Sequence, residues 1–584
     1  MDVRVGEEAP RGTIEPAATL DGVSIDFLTS KGVVHAVKRL SMIVPKGRRV
    51  GFIGESGSGK TTTALAIMGL LAGTGRVAEG SIRLGDTEML RLSDKELRAA
   101  RLSRVAYIPQ GAMNSLNPIM RIEEQLWDAI RTHEPKTPTA DLKRRSDAAF
   151  ESVGLASHVG QLYPHELSGG MKQRVCIALG VVLSPELIIA DEPTSALDVV
   201  TQKQVMHTLK AVQERIGSGL ILIGHDMGLM AQSVDELAVL KDGELVEMGS
   251  VRQIIEAPRH PYTKRLISSV PLVGGPSFLD TGAVPPVHER LSSEPLLAFE
   301  GVTKSYGSIT ALHPMTFALD GTVPQIISVV GQSGSGKSTM GGLMLGFNEP
   351  STGTVRFDGR DVAALPAGER LDYRKKVQAV FQDPYACFNP FYRVDRALRY
   401  PFKRFGLSGD VNARMREACE AVGLDPDLVL HRYPHELSGG QRQRLIVARA
   451  LMLSPRLLIA DEPVSMVDAS LRATILKNIH DLKERYGISI VYITHDLATA
   501  YHVSDYVLVL YKGRVVEAGP PREVIGDPQH PYTRLLIDSI PWPDLDRAWG
   551  GLRSEAETQT LEREIEASTE TVVRGRIEGF TLGV

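Results

Sequence analysis

Cysteine is nearly absent from this 584-residue chain: Cys176, Cys387 and Cys419 are all it has. They lie far apart and form no C-x-x-C pair, so a disulfide framework, a structural zinc site and a four-cysteine iron–sulfur cluster are all unsupported. So few thiols fit a reducing compartment. Long apolar runs are missing too, and none could span a bilayer; work at a membrane would need spans from other chains. Residues 1–19 carry acids and prolines where a signal peptide needs an apolar core. Charge of one sign is also lacking. The net value is -4, from 66 basic and 70 acidic residues, which gives no bulk drive toward nucleic acid or an anionic membrane. What is left, 43% apolar and 23% charged, is ordinary soluble globular composition at a length that argues for several domains.

The stretch 54–61 reads G-x-x-x-x-G-K-T, between an apolar run at 50–53 and a helix-compatible run at 62–71. That context suits a phosphate-binding loop. Gly54, Gly57 and Gly59, with Ser56 and Ser58 between them, let backbone N–H groups curl toward phosphate oxygens. The helix that opens at Thr62 adds its positive end. Lys60 can reach the terminal phosphates, and the Thr61 hydroxyl can sit on Mg²⁺. A chance Gly/Ser-rich loop is the bland alternative, and a second copy argues against it. Gly331, Ser333, Gly334, Ser335, Gly336, Lys337 and Ser338 repeat the pattern, followed by Thr339.

The chain is in fact written twice. Lys60 and Lys337 are 277 positions apart, and Gln110 and Gln382 are 272 apart. From Tyr-Pro-His-Glu-Leu-Ser-Gly-Gly at 163–170 and 433–440 onward the offset settles at 270, through Asp191-Glu192-Pro193, His225-Asp226 and a His-Pro-Tyr-Thr element at 260–263 and 530–533. The spacing predicts a flexible N-terminus at 1–17, a first domain at 18–271, a Gly/Pro-rich linker at 272–294, a second domain at 295–543 and a polar tail at 544–584. A short helix is expected near 561–565, with the rest of the tail loosely ordered. Apolar runs at 50–53, 105–108, 187–190 and 220–223, and at 326–330, 377–381, 457–460 and 488–493, lack alternation. They read as strands covered on both faces of a parallel sheet. A hairpin is predicted near each domain's end, and 121–162 and 393–432 read as mainly helical.

Asp191 and Glu192 end a buried strand, where ligands bind in open α/β sheets. Asp191 can hold Mg²⁺, and Glu192 can deprotonate the water that attacks a γ-phosphate; Asp461 and Glu462 repeat the pair. A strand-end carboxylate that merely caps a turn is the alternative, and two such pairs downstream of two phosphate loops leave it little room. Ser168-Gly169-Gly170 and Ser438-Gly439-Gly440 each open a helix, either as an anion-binding device or as a plain N-cap after a hinge. His225 and His495 follow buried strands and can reach a γ-phosphate or the attacking water. Gln110 and Gln382 can reach metal or water.

Taken together, in this order and twice, these residues resemble the ATP-binding cassette (ABC) ATPases, nearly end to end in both halves. The resemblance implies an α/β fold of two tandem P-loop nucleotide-binding domains, each with a RecA-like core sheet, an antiparallel β-subdomain and an α-helical subdomain. It implies ATP and Mg²⁺ as cofactors. In that family two cassettes pair head-to-tail. The first loop, Gln110, Asp191, Glu192 and His225 would then share an ATP with Ser438, Gly439, Gly440 and Gln441. The second loop, Gln382, Asp461, Glu462 and His495 would share one with Ser168, Gly169, Gly170 and Met171. Thr61, Ser338, Gln110, Gln382, Asp191 and Asp461 would surround the metal. Asp198 and Asp468 match the loop that crosses the family's dimer interface. Phe27 and Tyr306 occupy equivalent places and either stack on adenine or pack in the core.

Met171 departs from the pattern where Gln441 keeps it, so weaker polar support is expected at one site and hydrolysis at both. Asn-Pro elements after each glutamine and the His-Pro-Tyr-Thr elements look like the oligopeptide/dipeptide/nickel importer ATPases. That implies two permease subunits, a separate binding protein, no nucleic acid, and a place on the cytoplasmic face of the bacterial inner membrane. Peptides lead as cargo, with oligosaccharides, opine-like compounds and nickel open. Some relatives carry a C-terminal four-cysteine cluster, and this chain lacks the cysteines for one. A soluble twin-cassette ATPase acting on ribosomes or DNA is the rival class; the short linker with few charges speaks against it.

Overall fold

Four apolar runs in each half become neighbouring parallel strands, because strands buried on both faces need no alternation. The computed structural model describes residues 15–29, 32–111, 115–195, 197–270, 273–274, 294–383, 386–464, 469–547, 549–551, 555–568 and 570–583. The linker falls almost wholly outside them, as does Asp468. By contacts the chain forms two units. The first holds Met1–Leu197, Thr201–Ser268 and Pro541–Leu552; the second holds Asp198–Val200, Ser269–Ile540 and Arg553–Val584.

In the first unit the six-stranded sheet runs, edge to edge, Glu244–Ser250, Glu236–Lys241, Arg49–Ile53, Gly219–Gly224, Leu187–Asp191 and Val105–Ile108. All neighbours are parallel except the first two, which form the predicted hairpin. The phosphate-loop strand therefore lies beside the histidine strand. The carboxylate strand follows, then the glutamine strand, and all four point their C-terminal ends the same way. A second, antiparallel sheet pairs Pro16–Thr29 with both Gly32–Pro45 and Gly75–Leu84. Helices Ile122–His133 and Thr139–Ser152 make the side subdomain, burying Leu126, Ile130, Leu142 and Phe150.

The second unit repeats this plan. Its main sheet orders Val377–Val380, Leu457–Asp461, Ser489–Thr494, Ile326–Val330, Tyr506–Tyr511 and Arg514–Gly519, then adds Val572–Val573. Helices Val394–Arg404 and Val411–Ala421 form its side subdomain around Leu398, Phe402, Met415 and Cys419.

The helix expected near 561–565 is present and longer, Glu555–Ala567. The rest of the tail is more ordered than expected: Val572–Val573 and Phe580–Gly583 extend the two sheets of the second unit at their edges. Phe580, 6% exposed, sits between Phe317 and Tyr506 with ring centroids 5.9 and 5.1 Å away. Strand addition runs on main-chain hydrogen bonds, so a two- to four-residue strand leaves little pattern to read. The stretch Pro541–Leu552 instead completes the first unit. Trp542 and Trp549 are each 7% exposed there. Gln232 Nε2 donates to the carbonyls of Trp542, Asp544 and Arg547 at 2.9, 3.0 and 3.2 Å. Arg252 pairs with Asp546 at 2.9 Å, and the His207 ring lies 5.6 Å from that of Trp549.

Candidate active site

Each phosphate loop turns into its helix through a glycine that has to be one. Gly59 and Gly336 cap helices Lys60–Ile67 and Lys337–Met344 at φ 96° and 105°, in the left-handed region. A Cβ would meet the carbonyl oxygen of Ala36 at 2.8 Å in one case and of Ala311 at 2.7 Å in the other. Lys60 is buried, and its ammonium donates to the Gly54 and Glu55 carbonyls at 2.7 and 2.8 Å and to Ser58 Oγ at 3.3 Å. Lys337 donates to Gly331 and Gln332 carbonyls at 2.7 and 2.6 Å. Both cations are folded over their own loops, at the concave surface where N–H groups and a helix N-terminus favour an anion.

The strand order brings the predicted acid–base groups together. Gln110 Nε2 donates to Glu192 Oε2 at 2.8 Å, and His225 Nδ1 lies 3.0 Å from Glu192 Oε1. In the second unit Gln382 and His495 hold Glu462 at 2.9 Å each. Glu192 and Glu462 also have left-handed backbones, φ 45° and 47°, which cost energy in a residue with a Cβ. Their N–H groups donate to the Ile223 and Ile493 carbonyls at 2.9 and 2.8 Å, holding that turn. Burial pushes the Glu192 carboxyl up, but the His225 hydrogen bond and charge, Lys60 and the Gln110 amide outweigh it and keep the group below its ordinary range. Glu462 is lowered in the same way against its burial, by His495 and Lys337. His495 is raised: burial opposes, while Glu462 and Asp496 prevail. Each glutamate is thus an ionised carboxylate with both oxygens oriented, as a general base requires.

The neighbouring aspartates are built for a different task. Asp191 is 1% exposed, and burial raises it against hydrogen bonds from Thr61 and Tyr107. Asp461 is raised chiefly by burial and next by Glu462, with Ser338 bonded to it. A buried carboxylate that is reluctant to ionise alone gains from a cation. Carboxylate, hydroxyl and amide oxygens form a hard donor set that fits Mg²⁺ completed by phosphate and water. Among the described residues there is no cluster of three or more His, Cys, Asp or Glu that could hold a metal alone.

The serine of each Ser-Gly-Gly caps its helix. Ser168 Oγ accepts from Met171 N at 3.3 Å and Ser438 Oγ from Gln441 N at 3.2 Å. Gln441 Oε1 also accepts from Ser438 N at 3.0 Å, closing a reciprocal box that Met171 cannot make. Gly169, Gly170, Gly439 and Gly440 form the first turns behind these caps. Phe27 packs against Gly75 and the first unit's core, whereas Tyr306 is 48% exposed with Lys304 Nζ 5.0 Å from its ring centroid. Asp198 belongs with the second unit.

Two contacts went unread in the sequence. Tyr262 and Tyr532, from the His-Pro-Tyr-Thr elements, accept through their hydroxyls from the loop N–H of Glu55 at 3.0 Å and of Gln332 at 2.9 Å. Glu247 and Glu517 seat those elements by accepting from the backbone of His260 and His530, 3.0 Å in both units. The repeated spacing of the motif was the available signal. The second contact, Tyr107 on Asp191, had none.

Two phosphate loops, each beside an ionised glutamate and an aspartate that burial raises, define a pair of nucleotide-hydrolysing cassettes. The model of the ABC transporter family matches residues 37–195 and 316–465, and the chain belongs to that family and is an ATPase. The model of the oligopeptide/dipeptide transporter C-terminal region matches 246–292 and 516–567, spanning both His-Pro-Tyr-Thr elements. The glutathione import ATP-binding protein GsiA of Salmonella typhimurium strain LT2 is 38% identical over 568 residues, covering 91% of this chain and 90% of that protein. GsiA of Escherichia coli strain K12 is 36% identical over 559 residues, covering 89% of each. Among solved structures, an archaeal ribosome recycling factor, aABCE1, in complex with the ribosomal stalk protein aP1, aligns with a TM-score of 0.58 at 19% identity. It covers 92% of this chain and 98% of its own, a likeness of fold alone.

Proposed function

We propose that this chain powers uptake of a small peptide through two separate permease subunits supplied by a separate binding protein. Two ATP molecules bind at composite sites, the first loop with Ser438–Gln441's backbone and caps, the second with those of 168–171. The family pattern would put Asp198 and Asp468 in the loops beside these sites. Closure around both nucleotides draws the cassettes together, and loss of the γ-phosphate lets them part. Mg²⁺ would be held by Thr61 and Asp191 in one site and Ser338 and Asp461 in the other, with Gln110 and Gln382 alongside; it neutralises phosphate charge. Glu192 and Glu462 accept the proton of the attacking water, oriented by His225 and His495.

The observation that carries this reading is the duplicated network of glutamate, glutamine and histidine, intact in both units. Relatives named for glutathione import, together with the oligopeptide/dipeptide region, favour peptide as cargo. Among the described residues no helix is long and apolar enough to cross a membrane, which fits a chain that works with separate permease subunits. The segments after Gln110 and Gln382 carry Ile119 and Phe391, 82% and 84% exposed, which suit docking of short permease helices at the cytoplasmic face.

The test is ATP turnover and peptide uptake by the complex reconstituted with its permeases and binding protein. Glu192→Gln and Glu462→Gln, made separately, should each cut turnover by about 10²-fold or more, the scale lost with a positioned base. Wild-type turnover in either variant would remove the hydrolytic role at that site. Turnover stimulated by ribosomes instead of by loaded binding protein would overturn the import reading.

A further inference from the structure

The two sites differ at one strand position that faces the same carboxylate. In the first unit Tyr107 pairs in register with Ile189 on the carboxylate strand, and its hydroxyl donates to Asp191 Oδ2 at 2.9 Å. In the second unit Ala379 holds that register, opposite Ile459. Its methyl group has nothing to offer Asp461. Asp191 is bonded by both Thr61 and Tyr107 and is almost wholly buried. Asp461 has the loop hydroxyl of Ser338 and is only partly buried.

We propose that Tyr107 is a positioning residue that fixes Asp191 toward the nucleotide's Mg²⁺ and makes the first site bind metal–nucleotide more tightly than the second. The inference rests on the reading of Asp191 as the metal-facing carboxylate. A carboxylate tied through one oxygen keeps a single rotamer and presents its remaining lone pairs in one direction. The phenol withdraws a little charge, but it removes the rotation that a carboxylate held by the loop hydroxyl alone retains. Partners of this outer kind are worth about 10- to 100-fold in metal affinity. The tandem repeat supplies its own control, because the glutamine–glutamate–histidine contacts beside the aspartate recur in both units.

The experiment measures Mn²⁺ binding by electron paramagnetic resonance in the presence of ATP. It uses the full chain carrying Glu192→Gln and Glu462→Gln to stop turnover, and Lys337→Ala to silence the second site. Tyr107→Phe should raise the Mn²⁺ dissociation constant about tenfold, while ATP affinity measured in EDTA and the thermal midpoint stay unchanged. Asp191→Asn should abolish the same Mn²⁺ signal. If Asp191→Asn leaves Mn²⁺ bound, the underlying reading of Asp191 fails whatever Tyr107 does. If Asp191→Asn abolishes binding and Tyr107→Phe leaves the constant within about twofold of the parent, against the tenfold expected, the positioning role is overturned. An equal loss of ATP affinity in EDTA overturns it too, since the effect would then not pass through the metal.

Discussion

Removing Trp549 should release the strap 541–552 from the first unit. The chain has three tryptophans, Trp127, Trp542 and Trp549. With Trp127→Phe as background, Trp549→Ala leaves Trp542 as a single reporter inside the strap itself. Trp549 is 7% exposed, against His207. An aromatic ring of this kind buries roughly 150–250 Å², and at about 25 cal/mol per Å² that is about 4–6 kcal/mol. The figure is an upper bound, because a released strap keeps part of its apolar surface covered; Trp→Ala changes in packed sites cost about 3–5 kcal/mol. Even about 3 kcal/mol shifts the balance between docked and released strap by roughly 150-fold, at about 1.4 kcal/mol per factor of ten. Trp542, now 7% exposed with the Arg547 guanidinium 4.4 Å from its ring centroid, should then emit at longer wavelength and be quenched by acrylamide. Unchanged emission and quenching would refute the assignment of the strap to this surface.

The same fluorescence should respond to acid. Burial, then the charges of Lys203 and Lys210, hold the His207 imidazole below its ordinary value, against a hydrogen bond that it donates to the Gly550 backbone. A released His207 would protonate near pH 6.5, so strap docking is complete above that pH and weakens as pH falls through the depressed value. His207→Gln should flatten the profile, and an identical profile in that variant would remove His207 as its cause. Phe580→Ala should lower the stability of the second unit by about 3–5 kcal/mol, the range for an emptied aromatic site. Its melting transition in calorimetry should drop while that of the first unit holds, and a unit-wide indifference would mean that the terminal strand adds nothing to the sheet.

Much of this was written plainly in the residues. The loops, the strand-end carboxylates and the histidines were legible because glycine geometry and uniform burial leave strong local marks, and the repeat printed each mark twice. Tyr107 was not. In Val-Ala-Tyr-Ile it reads as filler of a buried strand, and its role depends on register with a strand more than eighty positions away. Tyr262 and Tyr532 were visible as a motif while their grip on the phosphate loop was not, since nothing local says where a tyrosine hydroxyl ends. Gln441 was visible as the counterpart of Met171, while the cap its oxygen gives its own helix was not. In the tail the helix was legible and the strands were not, because strands of two and four residues carry almost no periodicity.

The strap also orders events on the ribosome. The first cassette's own repeat ends at Ser268, yet its two strap tryptophans are not made until positions 542 and 549. At about 5–20 residues per second, the emerging domain waits roughly 15–55 s for its last piece. A message cut short after the second phosphate loop would yield a first cassette with every catalytic side chain but with His207 and Gln232 stripped of their strap contacts. Completion of the domain made first is thus a report that synthesis has passed through the second cassette.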